Sequence, residues 1–365
     1  MPSPFRVLHQ DRRESGDRAP PIPHPILRRR GNTMLERNYS SCVGTVCTIL
    51  HLAVAISYAH AQSTAETYPN NPIRVVVPYP AGGVADGLGR IIGSKITDRW
   101  GQRVVVDNRP GANTLVGIEI GARAAPDGYT FLLTADQSMV MNPHLYEHLP
   151  YNPAKDFEPI SLLASVGQVL CVHVSVPATS LQELIHLAKS KPGDLTYGST
   201  GVGSTTHLNT ELLKSVIGID VRHVPYKGGG QAMTDLAGGH ISMMIIATSL
   251  AQSQIAAATV RPLAVAGRNR SSLLPNVPTF EEAGVSGYEA QPWFGLLAPA
   301  GTPKEIVAKV NAEVVTVLRM PELQATFRAQ GLDLVGSTPE EFSAFMKVEN
   351  AKWKTIIAQT GVRLK

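Results

Sequence analysis

Cysteine is scarce in this sequence, and its positions exclude two kinds of chemistry. The 365 residues include three cysteines, of which Cys42 and Cys47 lie within the first 61 residues. Only Cys171 remains beyond them, so that part can form neither an internal disulfide nor a paired-cysteine metal or redox site. Because Cys171 lies in an apolar run, we expect it to be a small core residue rather than a nucleophile.

Net charge is also missing from most of the chain. Residues 1–33 hold seven arginines and account for the formal charge of +4, whereas 25 basic and 25 acidic residues balance from Gln62 onward. A neutral body lacks the basic surface that nucleic acid attracts. We therefore expect no nucleic-acid partner.

The common catalytic and cofactor motifs are absent as well. The sequence has no GxxxxGK phosphate loop, no GxSxG nucleophile elbow and no HExxH metal motif. Gly87–Gly93 resembles a dinucleotide fingerprint, but its last glycine comes one residue late and its glycines fall inside a predicted helix. We predict no catalytic residue, no cofactor and no metal site, and therefore not an enzyme.

Residues 34–61 have the pattern of a secretory signal. Arg37 precedes the mostly apolar stretch Cys42–Tyr58, and Ala59-His60-Ala61 is a small-x-small cleavage pattern. We predict cleavage after Ala61, with a membrane anchor as the alternative. Residues 1–33, rich in proline and arginine, are interpreted as an overlong, unstructured start.

Strand-like and helix-like runs alternate through the rest of the chain, which predicts an α/β fold with mainly parallel sheets. Two apolar extended runs, Ile160–Val174 and Tyr288–Ala298, are candidate crossings between two lobes. Two crossing strands make a hinge. The predicted lobes are a discontinuous first lobe, 62–168 and 290–365, and a second lobe, 169–289.

Two glycine-rich turns are the most informative local features. They span Pro78–Asp86 and Tyr197–His207, each between a strand-like and a helix-like run. Bare backbone N–H groups at a helix start attract an anion, and hydroxyl side chains add uncharged donors. We therefore expect two lobes that close on one acidic ligand.

Both turns also have a purely structural interpretation. Asp86 could be only a helix cap, since a carboxylate repels an anionic ligand unless water intervenes. The second turn could be an ordinary Ser/Thr cap, and His207 is then a structural residue of the following helix. The pairing of the two turns favours binding.

Several segments, in order, resemble one family: the Bug, or TctC-like, periplasmic solute receptors of tripartite tricarboxylate transport systems. The resemblance extends from Tyr68 to Lys365. Its main segments are Gly82–Asp86, Val106–Ala112, Ala125–Thr130, Gly203–His207, His223–Gly229 and Trp293–Gly301.

The resemblance implies a type II periplasmic binding protein fold, with two doubly wound lobes joined by two hinge crossings. It implies a periplasmic receptor that captures a small organic carboxylate and presents it to membrane transporter subunits, and we expect a monomer. In this family one carboxylate is typically held by main-chain groups and waters of the first turn and by hydroxyls of the second.

The predicted ligand-binding residues combine the physical interpretation of the turns with the resemblance. They are Tyr79, Ala81, Gly82, Gly83, Asp86, Thr134 and Asp136 in the first lobe, Ser199, Thr200, Gly203, Ser204, Thr205 and Tyr226 in the second, and Trp293 within the second crossing.

Two departures from the family pattern concern the ligand. The loop after the third predicted strand, Thr134–Ser138, is called the third loop; the family commonly has small or hydroxyl residues there, whereas this sequence has Asp136 and Gln137. Ala247-Thr248-Ser249 stands where the family commonly has an acidic residue. A more neutral cleft suits a di- or tricarboxylate or an aromatic acid better than a ligand with a cationic amino group.

Two rival functions stay open at this stage. One is a secreted α/β enzyme acting on an organic acid, with Asp86 or His207 as acid or base. The other is a ligand-sensing module of a signalling system. The sequence identifies neither the solute nor a cognate transporter.

Overall fold

The computed structural model describes residues 67–364. The predicted overlong start at 1–33 and the predicted signal peptide at 34–61 lie outside the described residues. Between 67 and 364, no helix combines the length and the apolar composition that a membrane crossing requires.

The strands of the described part form two mixed sheets. The strands are β1 Ile73–Val77, β2 Val104–Asn108, β3 Thr130–Ala135, β4 Phe157–Val166, β5 Gln168–His173, β6 Thr196–Ser199, β7 Arg222–Pro225, β8 Met243–Ala247, β9 Val260–Ala266, β10 Trp293–Pro299 and β11 Leu332–Leu334. The first sheet has the order β11-β4-β10-β3-β1-β2, and the second has the order β7-β6-β8-β5-β9.

Helices connect most of these strands, as the alternation predicts. They are α1 Val84–Trp100, α2 Leu115–Ala122, α3 Asn142–Leu145, α4 Pro153–Asp156, α5 Leu181–Ser190, α6 Thr205–Ile217, α7 Gly229–Ala237, α8 Thr248–Ala256, α9 Lys304–Leu318, α10 Pro321–Arg328 and α11 Pro339–Thr360. The α/β prediction is confirmed.

Strand β1 is buried on both faces of the first sheet, as its run of β-branched residues predicts. Alternate residues of β1 enter different clusters, so Val75 packs with α1 and α9, and Val76 packs with α2 and α11. In this sheet β1 is parallel to β2 and β3, whereas β10 runs antiparallel to β3 and β4. We call this sheet and its helices lobe I.

The second sheet, with its helices, is called lobe II. In it β6 is parallel to β7 and β8, whereas β5 runs antiparallel to β8 and β9. The chain enters this sheet at Gly167, between β4 and β5, and returns to the first sheet between Ala266 and Trp293. The predicted lobe boundaries at 168/169 and 289/290 stay predictions.

The last helix, α11, contacts both lobes. Phe342 lies against Gly295 of β10, where a Cβ atom would be only 2.2 Å from its ring. Near the other end of α11, Gln359 accepts a hydrogen bond from Ser215 of α6 at 3.1 Å. One apolar cluster therefore runs from lobe I through α11 into lobe II.

The two glycine-rich turns follow parallel strands in both lobes. The first turn follows the carboxyl end of β1, and the second follows the carboxyl end of β6. In open α/β sheets, ligands bind outside the carboxyl ends of the parallel strands. This placement makes the two turns the candidate site.

Candidate ligand-binding site

The first turn presents an open helix start. Gly83 is the N-cap of α1 and offers no side-chain cap, and Gly82 has a φ of 84°. Residues 80–84 are all exposed. Because the first N–H groups of a helix have no partner within it, those of α1 are available to donate hydrogen bonds to an anion.

Asp86 is held within this turn rather than aimed at a ligand. Its side chain is buried, and it accepts hydrogen bonds from the Gly82 N–H at 2.9 Å and from Arg90 Nε at 3.0 Å. The hydrogen bond from Arg90 is the main cause that lowers the pKa of Asp86, so the carboxylate stays ionised. Arg90 also donates to Asn108 at 3.0 Å.

This arrangement addresses the expected repulsion between Asp86 and an anionic ligand. The guanidinium of Arg90 compensates the charge of Asp86, and the carboxylate fixes the shape of the turn. It also engages the N–H of Gly82, so the unengaged donors of this turn begin at Gly83. Ala81 lies on the exposed surface beside them.

A group of hydroxyls lies behind the first turn. The Tyr79 hydroxyl accepts the N–H of Ala135 at 3.1 Å and lies 3.4 Å from the hydroxyl of Thr134. Nearby, the hydroxyls of Thr114 and Ser138 are 2.9 Å apart. Burial is the main cause that raises the pKa of Tyr79, so its phenol stays protonated, although its contacts with Thr134, Ala135 and Ser138 oppose this shift.

The second turn, in contrast, is closed upon itself. Ser204 is the N-cap of α6, and its hydroxyl accepts the N–H of His207 at 3.3 Å and donates to the carbonyl of Gly201 at 2.7 Å. Thr206 accepts the N–H of Thr200 at 2.8 Å and lies 3.0 Å from its hydroxyl. These donors and acceptors satisfy one another before any ligand arrives.

The ends of the second turn rest on two histidines. The hydroxyl of Ser199 is 2.6 Å from Nε2 of His223, and the N–H of Gly203 donates to Nδ1 of His207 at 3.1 Å. Gly203 has a φ of 76° and lies against Leu364 of lobe I. The second turn thus borders lobe I at its C-terminal segment.

Thr205 offers a free donor in lobe II. Its side chain is half-buried at the first position of α6, and within residues 67–364 its hydroxyl has no hydrogen-bond partner. Tyr226 is different because its hydroxyl donates to Asp235 at 2.8 Å. Its ring packs against Gly198, which makes it a wall behind the turn.

Besides Asp86, four predicted side chains are almost completely buried. Ser199 and Thr134 have no exposed surface, Asp136 is 3% exposed and Trp293 is 1% exposed. Trp293 packs edge-on against Phe342 of α11 at 5.3 Å. These four residues contact the protein interior in this structure, and their contact with a ligand stays a prediction.

Asp136 is the most perturbed carboxylate of the described chain. It accepts the N–H of Gln137 at 2.9 Å, and burial is the main cause that raises its pKa to about 8. Glu349 of α11 raises the pKa further, and Lys352 opposes this effect. The pKa of Asp136 therefore depends on charged residues of α11 as well as on the third loop.

Lys227 was not among the predicted site residues. It lies two residues after the end of β7, is exposed, and makes no hydrogen bond or ion pair with the described residues. Gly228, the N-cap of α7, offers no side-chain cap. The sequence pattern that could have identified Lys227 is the run Tyr226–Gly230, in which a lysine precedes three glycines at a strand-to-helix junction.

The fold, together with the two turns at the carboxyl ends of the parallel strands, defines the class of protein. A two-lobed α/β protein with anion-accepting turns at the carboxyl ends of both sheets is a solute-binding protein of the periplasmic type. The model of the TctC family, described as the tripartite tricarboxylate transporter family receptor, matches residues 88–362. The chain belongs to this family.

Individual relatives agree with that assignment. Protein BugT of Bordetella pertussis is 33% identical over 318 residues, which cover 87% of this chain and 98% of BugT. A solved structure of an R. palustris protein with adipate is 35% identical, with a TM-score of 0.69, and covers 81% of this chain and 99% of that one. The structure of MatC from Rhodopseudomonas palustris, with bound malate, is 29% identical and has a TM-score of 0.66. The match covers 80% of this chain and 100% of MatC.

These findings confirm the central predictions. The chain has the type II periplasmic binding protein fold and is a solute-binding receptor of the Bug/TctC family rather than an enzyme. The family binds small carboxylates for uptake by tripartite tricarboxylate-type transporters. The enzyme and sensor alternatives are not favoured.

Proposed function

We propose that this receptor binds a small organic acid between its two glycine-rich turns, and that its preferred ligands are di- or tricarboxylates or aromatic acids. One carboxylate lies on the open start of α1, next to the phenol of Tyr79. Donors from lobe II, foremost Thr205, complete its coordination when the lobes close. The acid is then presented to membrane transporter subunits.

The uncapped, exposed start of α1 carries the proposal. Its N–H groups from Gly83 onward lack side-chain partners, and the nearby charge of Asp86 is compensated by Arg90. A helix N-terminus with free donors stabilises an anion through hydrogen bonds and through the helix dipole. Charge-assisted hydrogen bonds of this kind strengthen when closure excludes water.

Lobe II supplies one cation and one hydroxyl close to the second turn. Lys227 is exposed and unpaired among the described residues, and the hydroxyl of Thr205 is free. Gly229, two residues after Lys227, lies near Thr200, with 3.8 Å between its ideal Cβ position and the Thr200 methyl. A second carboxylate of the ligand has its charge partner here.

Exposed aliphatic side chains support an acid with an apolar body. Val84 and Val116 are 47% and 42% exposed beside the turns of lobe I, and Val202 and Leu250 are 53% and 50% exposed in lobe II. Each follows the carboxyl end of a parallel strand. With Ala247–Ser249 in place of an acidic residue, the edge suits a methylene chain or a ring better than an ammonium group.

Calorimetry of the purified protein tests the proposal. The titrants are adipate, malate, citrate and benzoate, with 1,6-hexanediol as an uncharged control that keeps the carbon chain of adipate. We expect one-to-one binding of at least one acid, no binding of the diol, and an unchanged ligand by mass spectrometry. Absence of heat with every acid contradicts the proposal.

Export and assembly state are tested separately. We propose that the chain is exported, with cleavage after Ala61, and that the receptor is a monomer. N-terminal sequencing of protein from the periplasmic fraction should begin at Gln62, and light scattering should give the mass of one chain. A different N-terminus or a larger mass contradicts the corresponding part.

A further inference from the structure

We propose that His207 and His223 are positioning residues that set the second turn in the conformation that receives the carboxylate, and that they do so as neutral imidazoles. The inference rests on the proposed ligand site. In this role the two rings neither transfer protons in catalysis nor bind the anion as cations.

The two imidazoles form a flat stack beneath the second turn. Their centroids are 4.0 Å apart with an angle of 11° between the rings. Tyr197 of β6 extends the stack, 4.8 Å from His223. Because stacked rings cannot tilt independently, the nitrogen atoms at their edges have fixed positions.

Each imidazole holds one end of the turn. Nε2 of His223 lies 2.6 Å from the hydroxyl of Ser199, at the start of the turn. Nδ1 of His207 accepts the N–H of Gly203 at 3.1 Å, at its end. Between these two points lie Thr200, Gly201 and Val202, and Thr205, the free donor of lobe II, comes two residues after Gly203.

The contact with Gly203 fixes the protonation state of His207. A backbone N–H can only donate, so Nδ1 must be a bare acceptor and the ring proton must lie on Nε2. Protonation of Nδ1 would place two donors against each other and release Gly203. A neutral ring is therefore part of the turn's structure.

The surroundings also favour neutral rings. Tyr197 faces the stack from β6, and Glu211 and Lys214 of α6 lie close enough to oppose each other's effects on both histidines. Burial is the main cause that lowers the pKa of His207, to about 4, and it lowers the pKa of His223 as well. Both shifts favour the neutral form of the rings at neutral pH.

Two variants separate the acceptor from the stacking surface. His207→Phe keeps a flat ring but has no acceptor, so it leaves the N–H of Gly203 unpaired. His207→Asn loses the ring but retains an acceptor at the position of Nδ1. We expect His207→Phe to weaken binding of the best acid of the panel about tenfold, the effect of one lost buried hydrogen bond, and His207→Asn to stay within about threefold of the unmodified chain.

The pH dependence of affinity tests the neutral state. We expect the dissociation constant of Asp136→Asn, in which the carboxyl of Asp136 no longer titrates near pH 8, to stay constant between about pH 8 and pH 6.5, because an ordinary histidine titrates near the lower limit and His207 does not. Affinity that rises as the pH falls through this range identifies an imidazolium as the ligand's partner and overturns the proposal. Equal affinity losses in His207→Phe and His207→Asn overturn it too.

Nitrogen-15 NMR separates this inference from the ligand assignment. The Nδ1 signal of His207 should be that of a bare nitrogen, and the amide signal of Gly203 should be retained in His207→Asn and displaced in His207→Phe. If no acid binds but these signals behave as expected, the ligand assignment fails and the positioning role stands. A protonated Nδ1 or an unchanged Gly203 signal in His207→Phe overturns the positioning role.

Discussion

The two glycine-rich turns differ in how much of their hydrogen bonding is already satisfied. The first turn is exposed over residues 80–84 and leaves the start of α1 uncapped, and it is supported by Asp86 with Arg90 and by Asn108, which donates to the carbonyl of Tyr79 at 3.1 Å. The second turn is closed by Ser204 and Thr206 and rests on two stacked histidines. One turn is open to a ligand, and the other is a preformed frame.

This difference suggests a division of labour. A site that must accept solutes of different shape gains from one surface of free backbone donors, since those bind any carboxylate. Rigid donors lose less conformational entropy on binding, so the frame adds affinity through preorganisation. We infer that the first turn provides general anion binding and that the second turn sets geometry when the lobes meet.

The largest expected effect concerns the frame and the hinge together. Asn209 of α6 is buried and donates to Gln168 at 2.7 Å and to the carbonyl of Ala290 at 3.3 Å, and these residues lie in the two chain crossings. Asn209→Ala leaves both acceptors unpaired and opens a small cavity. We expect the free energy of unfolding to fall by about 2–3 kcal/mol, measured by urea denaturation.

Ser215→Ala is the matched control for this change. Ser215 lies on the same helix and donates to Gln359 at the surface. Its loss should alter stability by less than about 0.5 kcal/mol. If Asn209→Ala has an equally small effect, α6 is not coupled to the crossings and the second turn is not part of a rigid frame.

Glycine substitutions distinguish the two turns directly. At Gly203, φ is 76° and a Cβ would lie 3.1 Å from Leu364, so Gly203→Ala should cost about 1–2 kcal/mol of stability. At Gly83, φ is −82° and a Cβ would meet only the carbonyl of Pro80 at 3.6 Å. Gly83→Ala should therefore fold normally but weaken acid binding about tenfold, because the methyl group occupies the ligand's approach to the main chain.

Thermal unfolding and calorimetry measured on both variants check this pair. Gly87→Ala, one turn further along α1 with open space around its Cβ, is the control and should leave affinity unchanged. A loss of stability without a loss of affinity in Gly83→Ala would mean that the first turn does not contact the ligand.

The sequence predicted the fold and the positions of the two turns better than the hydrogen bonding within the turns. Glycine runs between strands and helices, such as Gly82-Gly83, located both turns, because backbone geometry at such junctions is a local property. Which donors are free is not local. The partners of the Gly203 N–H and the Ser199 hydroxyl are rings brought there by packing of α6 and β7. The neutralisation of Asp86 depends on a helical spacing to Arg90, which the sequence does contain.

The third loop lies beside the first turn but is buried, and its charge gives a pH-dependent test. The raised pKa of Asp136, about 8, means that the folded chain holds a proton that the unfolded chain releases above about pH 4. Stability contributed by this site is therefore lost as the pH rises from about 4 to about 8. Asp136→Asn should remove this loss and raise the melting temperature at pH 8 by roughly 2–4 °C, with no gain at pH 4.

An exposed carboxylate provides the comparison for Asp136. Asp333→Asn, on β11 at the surface, should leave the melting temperature unchanged at both pH values. If Asp136→Asn lowers the melting temperature at pH 8, the carboxylate is ionised in the folded chain and has a partner there, and the third loop belongs with the charged first turn rather than with the interior.

The smallest expected effect tests the charge compensation that keeps the first turn open to anions. Arg90→Gln leaves the carboxylate of Asp86 uncompensated beside the ligand, although the Arg90 side chain is 54% exposed and solvent screens its charge. We expect acid binding to weaken by about twofold to fivefold, less at high salt. Arg123→Gln removes the corresponding i,i+4 pair with Glu119 on α2, away from the turn, and should not change affinity.

The double variant Asp86→Asn/Arg90→Gln restores neutrality and should recover most of the affinity in calorimetry, because the amide oxygen can still accept the N–H of Gly82. If the single and double variants bind equally weakly, Arg90 acts on the shape of the turn and not on its charge, and the open turn then depends on a structural support as the second turn does.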